Sequence, residues 1–183
     1  ALGRMRDRDA LPALRECTAD PDGSVRISAY FALERMGDTS YRRPWNDALY
    51  GDPDPVVRRN AALALGLLDD PKVVPVLARV TREDEDEGVR LQAWEALAML
   101  GNTDAVDRFV YDAFGGMGFR QPFALLALGK VDDPEVIAAL RARLGSAPYL
   151  EAKLAAARSL AMLGQNEGYD LALASLTWDE PDS

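Results

Sequence analysis

A short pattern centred on an Ala-Leu pair recurs five times along this chain at a nearly constant spacing. It is clearest in Asp54–Gly66, and the leucines of successive copies lie 32, 32, 31 and 32 residues apart. These leucines are Leu33, Leu65, Leu97, Leu128 and Leu160. A constant period of this length is typical of stacked supersecondary units. The chain is therefore predicted to be a repeat protein in which each unit contacts only its neighbours.

Each repeat is predicted to contain two helices, A and B, joined by a turn. In helix B, alanines and larger apolar residues recur three and four positions apart, so they share one face of the helix. The three clearest sets are Val25, Ala29, Ala32, Leu33 and Met36, then Val57, Ala61, Ala64, Leu65 and Leu68, then Val89, Ala93, Ala96, Leu97 and Leu100. This face is predicted to be the core, and its alanines to let the next helix approach closely.

Capping residues mark the ends of helix B. Asp22, Asp54 and Asp86 each lie three residues before the first valine of a set, where an N-cap is expected. Glycine is the usual residue just past a helix C-terminus. The glycines found at that position are Gly37, Gly101 and Gly164.

Helix A carries pairs of apolar residues three positions apart. The pairs are Leu11 and Leu14, Val74 and Leu77, Val106 and Phe109, and Ile137 and Leu140. Two residues at this separation share a helical face. In repeat 2 the same positions hold Arg42 and Trp45. Helix A of this repeat is therefore predicted to be short or displaced.

The period divides the whole chain, residues 1–183, into one domain. Ala1–Met5 aligns with Ala32–Met36, so residues 1–8 are expected to be the end of a truncated repeat. The last helix is predicted over about residues 167–177. The predicted repeats cover residues 9–37, 38–69, 70–101, 102–132 and 133–164, and residues 165–183 form a terminal helix and tail.

The pattern Asp-Pro-x-x-x-Val-Arg-x-x-Ala-x-x-Ala-Leu, present at Asp20–Leu33 and Asp52–Leu65, resembles the HEAT-like repeat of phycobilin-lyase subunits and many bacterial scaffold proteins. The resemblance covers nearly the whole chain, closely in repeats 1 to 3 and more loosely in repeats 4 and 5. It implies an all-α fold, a right-handed α-solenoid with A helices on the convex side and B helices lining a concave one. It does not specify a function.

Composition excludes several kinds of site. The chain has no histidine, which removes His-based catalysis and histidine metal sites, and Cys17 is its single cysteine. The net charge of −9 disfavours a nucleic-acid partner. No apolar run approaches the length of a membrane span. We therefore expect a cytoplasmic, non-catalytic protein without cofactor or metal. Because the start is predicted to be truncated, the apolar face of the first helix A should lack its cover, so weak end-to-end association is also expected.

An aspartate and an arginine six residues apart recur in the first three repeats. The pairs are Asp20 and Arg26, Asp52 and Arg58, and Asp84 and Arg90. Repeat 4 has Gly115 and Gln121 at these positions, so both partners are absent together. The planar guanidinium suits a carboxylate that also accepts turn N–H groups. A structural ladder between repeats is predicted, with a functional anion site as the alternative.

Two turns depart from the common pattern. Residues 83–87 are five consecutive acids, interpreted as a solvated turn, with a site for a hard cation or a basic partner as the alternative. The turn of repeat 4, Phe114–Phe123, contains three glycines but lacks the spacing of phosphate-binding or dinucleotide-binding loops. It is interpreted as a wide turn.

On the helix B wheel, the direction opposite the predicted core is largely apolar in every repeat. The predicted binding residues of this concave face are Ile27, Phe31, Arg59, Leu63, Leu91, Trp94, Glu95, Leu126 and Arg158. Phe31 and Trp94 would anchor a partner, and Arg59 and Arg158 would fix its direction. The favoured function is a scaffold for a protein or peptide. A regulatory or lyase-type subunit of an enzyme complex, or a spacer in a larger protein, are the alternatives.

Overall fold

The computed structural model describes residues 8–115, 120–147 and 149–176, and these form eleven α-helices and no β-strand. The helices are α1 (Leu11–Cys17), α2 (Gly23–Arg35), α3 (Arg42–Gly51), α4 (Pro55–Gly66), α5 (Val74–Glu83), α6 (Glu87–Met99), α7 (Thr103–Gly115), α8 (Arg120–Leu128), α9 (Pro134–Ser146), α10 (Leu150–Met162) and α11 (Tyr169–Leu176). Short 3₁₀ turns at Arg8–Ala10, Thr39–Tyr41 and Pro71–Val73 precede α1, α3 and α5. The predicted helix end at residues 1–5 and residues 116–119 of the glycine-containing turn lie outside the described residues.

The fold is an all-α solenoid of helix pairs, in which odd-numbered helices are the predicted A helices and even-numbered ones, from α2 to α10, the B helices. The chain divides into two compact units, Ala1–Leu100 and Gly101–Ser183. In the first unit each A helix packs on its own B helix, and α4 packs on both α2 and α6. In the second unit α10 packs on α8, α9 and α11. The prediction of a single domain stays a prediction.

The predicted helix caps are confirmed. The carboxylates of Asp22, Asp54 and Asp86 accept hydrogen bonds from backbone N–H groups of the following helix, at 2.7, 2.8 and 2.9 Å. The glycines after α2, α6 and α10 have φ of 91°, 73° and 73°, in the left-handed region. Repeat 2 has Asp69 at the equivalent position, with φ of 56°. Aspartate tolerates this conformation better than most residues do.

The repeated leucines form the core of each unit. All five are at most 4% exposed. Residues at the position before them are uniformly small, and at most 9% exposed, because a neighbouring helix lies against them. These residues are Ala32, Ala64, Ala96, Ala127 and Ser159. The predicted core face of helix B is wrong at one residue, since Val25 is 37% exposed whereas Val57 and Val89 are buried.

The prediction that helix A of repeat 2 is short or displaced is wrong. This helix, α3, has ten residues, as has α5 in the next repeat. Trp45 fills the buried position, is 1% exposed, and donates its Nε1–H to the carbonyl of Ala61 at 3.2 Å. The first position of each apolar pair is only half-buried in the other repeats. Arg42 is therefore tolerated there, and it pairs with Glu34 and Asp70.

Candidate functional site

The Asp–Arg pairs join successive repeats of the first unit. Arg58 donates from Nε and Nη2 to the carboxylate of Asp84 in the next repeat, at 2.9 and 3.0 Å. Its Nη1 donates to the carbonyl of Asp52 in its own turn, at 2.8 Å. The side chains of Arg58 and Asp84 are each 7% exposed. Asp84 also accepts the N–H of Asp86 at 2.9 Å, so one carboxylate fixes its own turn and the preceding repeat.

Arg26 and Arg90 make weaker versions of this arrangement. Arg26 donates to the Asp52 carboxylate at 3.1 Å and to the carbonyl of Asp20 at 2.9 Å, with 27% of its side chain exposed. Arg90 donates to the carbonyls of Asp84 and Glu85 at 2.8 and 2.9 Å. Each arginine therefore holds its own turn, and Arg26 and Arg58 also hold the turn that follows.

The surroundings of Arg58 favour a structural role over an anion site. Hydrogen bonds to Asp84, and the charge of that carboxylate, raise the pKa of Arg58. All three guanidinium nitrogens of Arg58 donate to protein oxygens. A soluble anion at this position would have to displace a buried carboxylate. The alternative of an anion site therefore has no support in the geometry.

Most of the acidic turn is engaged in holding the fold. Glu83 pairs with Arg79 at 2.6 Å, Asp84 with Arg58, and Asp86 caps α6. Glu85 is 91% exposed and lies 3.8 Å from Arg58. The turn borders an open cavity of about 440 Å³ lined by Tyr50, Gly51, Asp52, Pro53, Arg58, Glu83, Asp84 and Glu85. No group of three or more potential metal ligands occurs among the residues that the structure describes.

Part of the predicted concave row faces the neighbouring repeat rather than solvent. Ile27 is only 2% exposed, so the expectation that it lies on an open face is wrong. Phe31 is half-buried and packs edge-on against Trp45 of α3, with ring centroids 6.4 Å apart. Glu34, one turn further along α2, pairs with Arg42 of the same helix α3.

The same orientation recurs in later repeats. A Cβ on Gly66 of α4 would lie 2.8 Å from the Cα and Cβ of Ala96 in α6. In the second unit, a Cβ on Gly129 after α8 would lie 2.8 Å from Ser159 Cα in α10. Arg59 of α4 is exposed, but its side chain lies over the start of α6. The face of helix B that the sequence predicted to be open therefore points partly toward the following repeat and not fully toward solvent.

The strip of the B helices opposite the core in the first unit lies at positions −9, −5, −2 and +2 relative to the repeated leucine, and its residues are exposed or half-buried except Glu95. We call this strip the helix B surface. It consists of Ser24, Ser28, Phe31 and Arg35 on α2, Val56, Asn60, Leu63 and Leu67 on and just after α4, and Gly88, Gln92, Glu95 and Met99 on α6. Asn60 donates to the hydroxyl of Ser24 at 3.0 Å, which links adjacent repeats across the strip. Val56 and Leu67 are its most exposed apolar residues, at 43% and 44%.

The remaining predicted residues fall at different depths. Leu91 and Trp94 are half-buried, and Glu95 is 7% exposed and accepts a hydrogen bond from Gln92. In the second unit Leu126 is half-buried and Arg158 is exposed. Of the predicted row, the helix B surface keeps Phe31, Leu63 and Glu95. Val56, Asn60 and Leu67 were not predicted to lie on this surface, although an apolar residue two positions after the leucine in repeats 2 and 3 was a usable signal.

The comparisons with known proteins agree with this architecture. Residues 42–110 match the family model described as HEAT repeats, and residues 1–20 match the one described as PBS lyase HEAT-like repeat. The helices of the described residues include none that is both long and apolar enough to cross a membrane.

Two curated proteins are similar to parts of the chain. The bilin biosynthesis protein PecE of Mastigocladus laminosus is 40% identical over 86 residues, which are 47% of this chain and 29% of that protein. The epoxyqueuosine reductase of Bacillus subtilis (strain 168) is 28% identical over 76 residues, which are 42% of this chain and 20% of that enzyme. The matched segments thus span less than a third of either relative. The repeated helix pairs and the matches over residues 42–110 and 1–20 together show HEAT-like repeats in this chain.

Proposed function

We propose that this chain is a protein-binding scaffold and that a polypeptide segment docks on the helix B surface of its first unit. The observation that carries the proposal is the solvent-exposed Val56 and Leu67 beside the half-buried Leu63, on helices whose other faces are filled by neighbouring helices. Exposed apolar residues that adjoin one another mark interaction sites more often than isolated ones do. HEAT repeats in general serve as protein-interaction scaffolds.

The helix B surface also provides hydrogen-bonding groups beside the apolar ones. Ser28, Asn60 and Gln92 occupy equivalent positions on α2, α4 and α6, so one polar row runs across the three repeats. Apolar anchors next to a line of donors and acceptors suit an extended or helical segment, whose orientation polar contacts would fix. The acidic turn lacks such anchors, apart from the partly exposed Tyr50.

The test is selection of a displayed random peptide library on the immobilised chain, compared with the variant Val56→Ser/Leu67→Ser. Both side chains are exposed, so the variant should fold normally, which circular dichroism can establish. Enriched peptides should bind the wild type and lose at least tenfold in affinity on the variant, because each truncated apolar anchor costs about 1 kcal/mol or more.

The matched control is Val25→Ser, which removes an apolar residue of the same unit that is 37% exposed and lies outside the helix B surface. The control should leave peptide binding unchanged. If enriched peptides bind the double variant as well as the wild type, the proposed surface is wrong. If binding is instead lost on Glu83→Gln/Glu85→Gln, the site is the acidic turn.

A second candidate is a subunit of a complex that acts in bilin biosynthesis, which the 40% identity to the bilin biosynthesis protein favours. The shared segment covers only 29% of that relative. The test is to mix the chain with a free bilin and record visible absorption and circular dichroism. An induced dichroic band would support this candidate. An unchanged spectrum at excess protein would show that the chain by itself does not bind the bilin.

A further inference from the structure

We propose that the segment bound by the helix B surface is amphipathic and acidic, with an apolar stripe flanked by carboxylates that reach Arg35 and Arg59. The inference rests on the proposed function and adds the chemical class of the partner. It follows from the local balance of charge on the B helices, which is opposite in sign to that of the whole chain.

The chain as a whole carries a net charge of −9, yet the B helices of the first unit are basic. Helices α2, α4 and α6 contain five arginines and three glutamates. The arginines are Arg26, Arg35, Arg58, Arg59 and Arg90, and the glutamates are Glu34, Glu87 and Glu95. The acids of this unit lie mainly in the turns, and its A helices have the same balance of five arginines and three acids.

Most of these helix B charges are already engaged within the fold. Arg26, Arg58 and Arg90 hold the turns, as described above. Glu34 is paired with Arg42, and its side chain is 9% exposed. Glu95 is buried and hydrogen-bonded to Gln92. Glu87 is exposed and lies in the first turn of α6, as the last residue of the acidic turn at residues 83–87.

Arg35, on the helix B surface, and Arg59, at its edge, are exposed cations. Within the described part of the chain, no hydrogen bond or ion pair joins either of them to an acid. Arg35 lies at the C-terminal end of α2, beside Leu67 at the equivalent position of the next repeat. Arg59 lies near the N-terminal end of α4, one turn before Leu63. The apolar residues therefore lie between two guanidinium groups that have no ion-pair partner among the described residues.

Arg59 has an acid nearby, since its Nη1 and Oδ1 of Asp86 would lie 3.3 and 3.1 Å from the same Cβ on Gly88, but that carboxylate caps α6 and makes no ion pair with Arg59. Charges more than about 10 Å apart in water are largely screened at 0.1 M salt, so the nearest groups decide which partner is favoured. A partner with carboxylates at the two flanks gains an ion pair with each guanidinium, in the geometry that arginine favours. A basic partner would place positive charges next to both arginines, and the resulting repulsion would disfavour its binding.

The experiment is a charge-swap selection with the same displayed peptide library. The full chain and the variant Arg35→Glu/Arg59→Glu are screened in parallel, each at two salt concentrations. Wild type should enrich peptides with an apolar stripe and an excess of Asp and Glu, and the variant should enrich the same stripe with Lys and Arg. A synthetic peptide chosen on the wild type should bind the variant roughly 25-fold more weakly, or about fivefold per arginine.

The matched control is Arg43→Glu/Arg82→Glu, which makes the same change of net charge at two exposed positions on the A helices. This variant should enrich the acidic peptides that the wild type enriches, with affinity changed less than twofold. All variants should retain the helical circular dichroism of the wild type, because the four arginines are exposed.

The outcomes separate this inference from the function on which it rests. If peptides depend on Val56 and Leu67 but show no acidic excess, or if both charge variants weaken binding equally, the acidic partner is wrong and the docking surface stands. If no enriched peptide depends on Val56 and Leu67, both proposals fall. If wild type self-associates at assay concentrations and Arg35→Glu/Arg59→Glu abolishes this, the occupant is a second copy of the chain, which also overturns the inference.

Discussion

Replacing Arg58 by alanine should destabilise the first unit more than the same change at any other arginine of the Asp–Arg ladder. The substitution removes two charge-assisted bonds to Asp84, at 2.9 and 3.0 Å, and one bond to the carbonyl of Asp52 at 2.8 Å. It leaves the Asp84 carboxylate buried with the N–H of Asp86 as its remaining donor. Truncating one partner of a buried ion pair costs about 3–5 kcal/mol. The remaining N–H places Arg58→Ala at the low end, at about 3 kcal/mol.

The structure also predicts an order among the three ladder arginines. Arg26→Ala should cost about 1.5 kcal/mol, because its one bond to a carboxylate is longer, at 3.1 Å, and its side chain is more exposed. Arg90→Ala should cost about 1 kcal/mol, since its two bonds go to backbone carbonyls. Arg43→Ala is the control and should cost close to nothing, because that side chain is 92% exposed.

Urea denaturation monitored by tryptophan fluorescence measures these differences. Trp45 is 1% exposed in the first unit and reports its unfolding. With a urea dependence of roughly 1–2 kcal/mol per molar, Arg58→Ala should lower the midpoint by roughly 1.5–3 M. A double-mutant cycle with Asp84→Ala should show a double variant less destabilised than the sum of the single ones. Equal losses at Arg26, Arg58 and Arg90, or additive losses in the cycle, would refute the ladder.

Three further outcomes are expected. Gly66→Ala should destabilise by about 1–3 kcal/mol, because the new Cβ would lie 2.8 Å from the next repeat's backbone. Gly145→Ala, a helical glycine with nothing within 4 Å, should be neutral or stabilising by up to about 1 kcal/mol, and equal effects in denaturation would contradict the packing. Asp86→Ala should cost about 1 kcal/mol through the lost cap of α6, and Asp86→Asn should recover most of it. Hydrogen bonds from Ser40 and Arg15 lower the pKa of Asp38 below its ordinary 3.8. The stabilising contribution of Asp38 is therefore complete above the pKa of the unfolded state and is lost as the pH falls through the pKa of the folded state. The melting temperature of the wild type should fall below about pH 4, and that of Asp38→Asn should fall less steeply over the same range.

The repeat period and its caps were predictable because they are local. A leucine every 31 or 32 residues, an aspartate before helix B and a glycine after it each follow from chemistry within one turn. The length of α3 was mispredicted because the first position of an apolar pair was taken to be core. In the structure that position is only half-buried, so Arg42 can occupy it and find two carboxylates.

The binding surface was less predictable because a helical wheel gives the direction of each side chain but does not show which neighbouring helices cover it. Treating helix B as an element with one buried side placed Ile27 opposite the core. In a stack of repeats, helix B contacts its own helix A and the B helices on either side, so only a narrow strip remains open. Ile27 and Gly66 face the following repeat, and the strip passes through Leu67 and Asn60 instead.

The most direct test of a docking role for the helix B surface is site-specific photo-crosslinking in an extract of the source cells. A photoreactive phenylalanine analogue is placed at Leu67 or Asn60 on the helix B surface, at Arg43 on an A helix, and at Glu85 in the acidic turn. We predict one defined crosslinked species from Leu67 and Asn60, competed by the selected acidic peptide, and none from Arg43. Crosslinks from Glu85 or Arg43 with none from Leu67 and Asn60 would contradict the account.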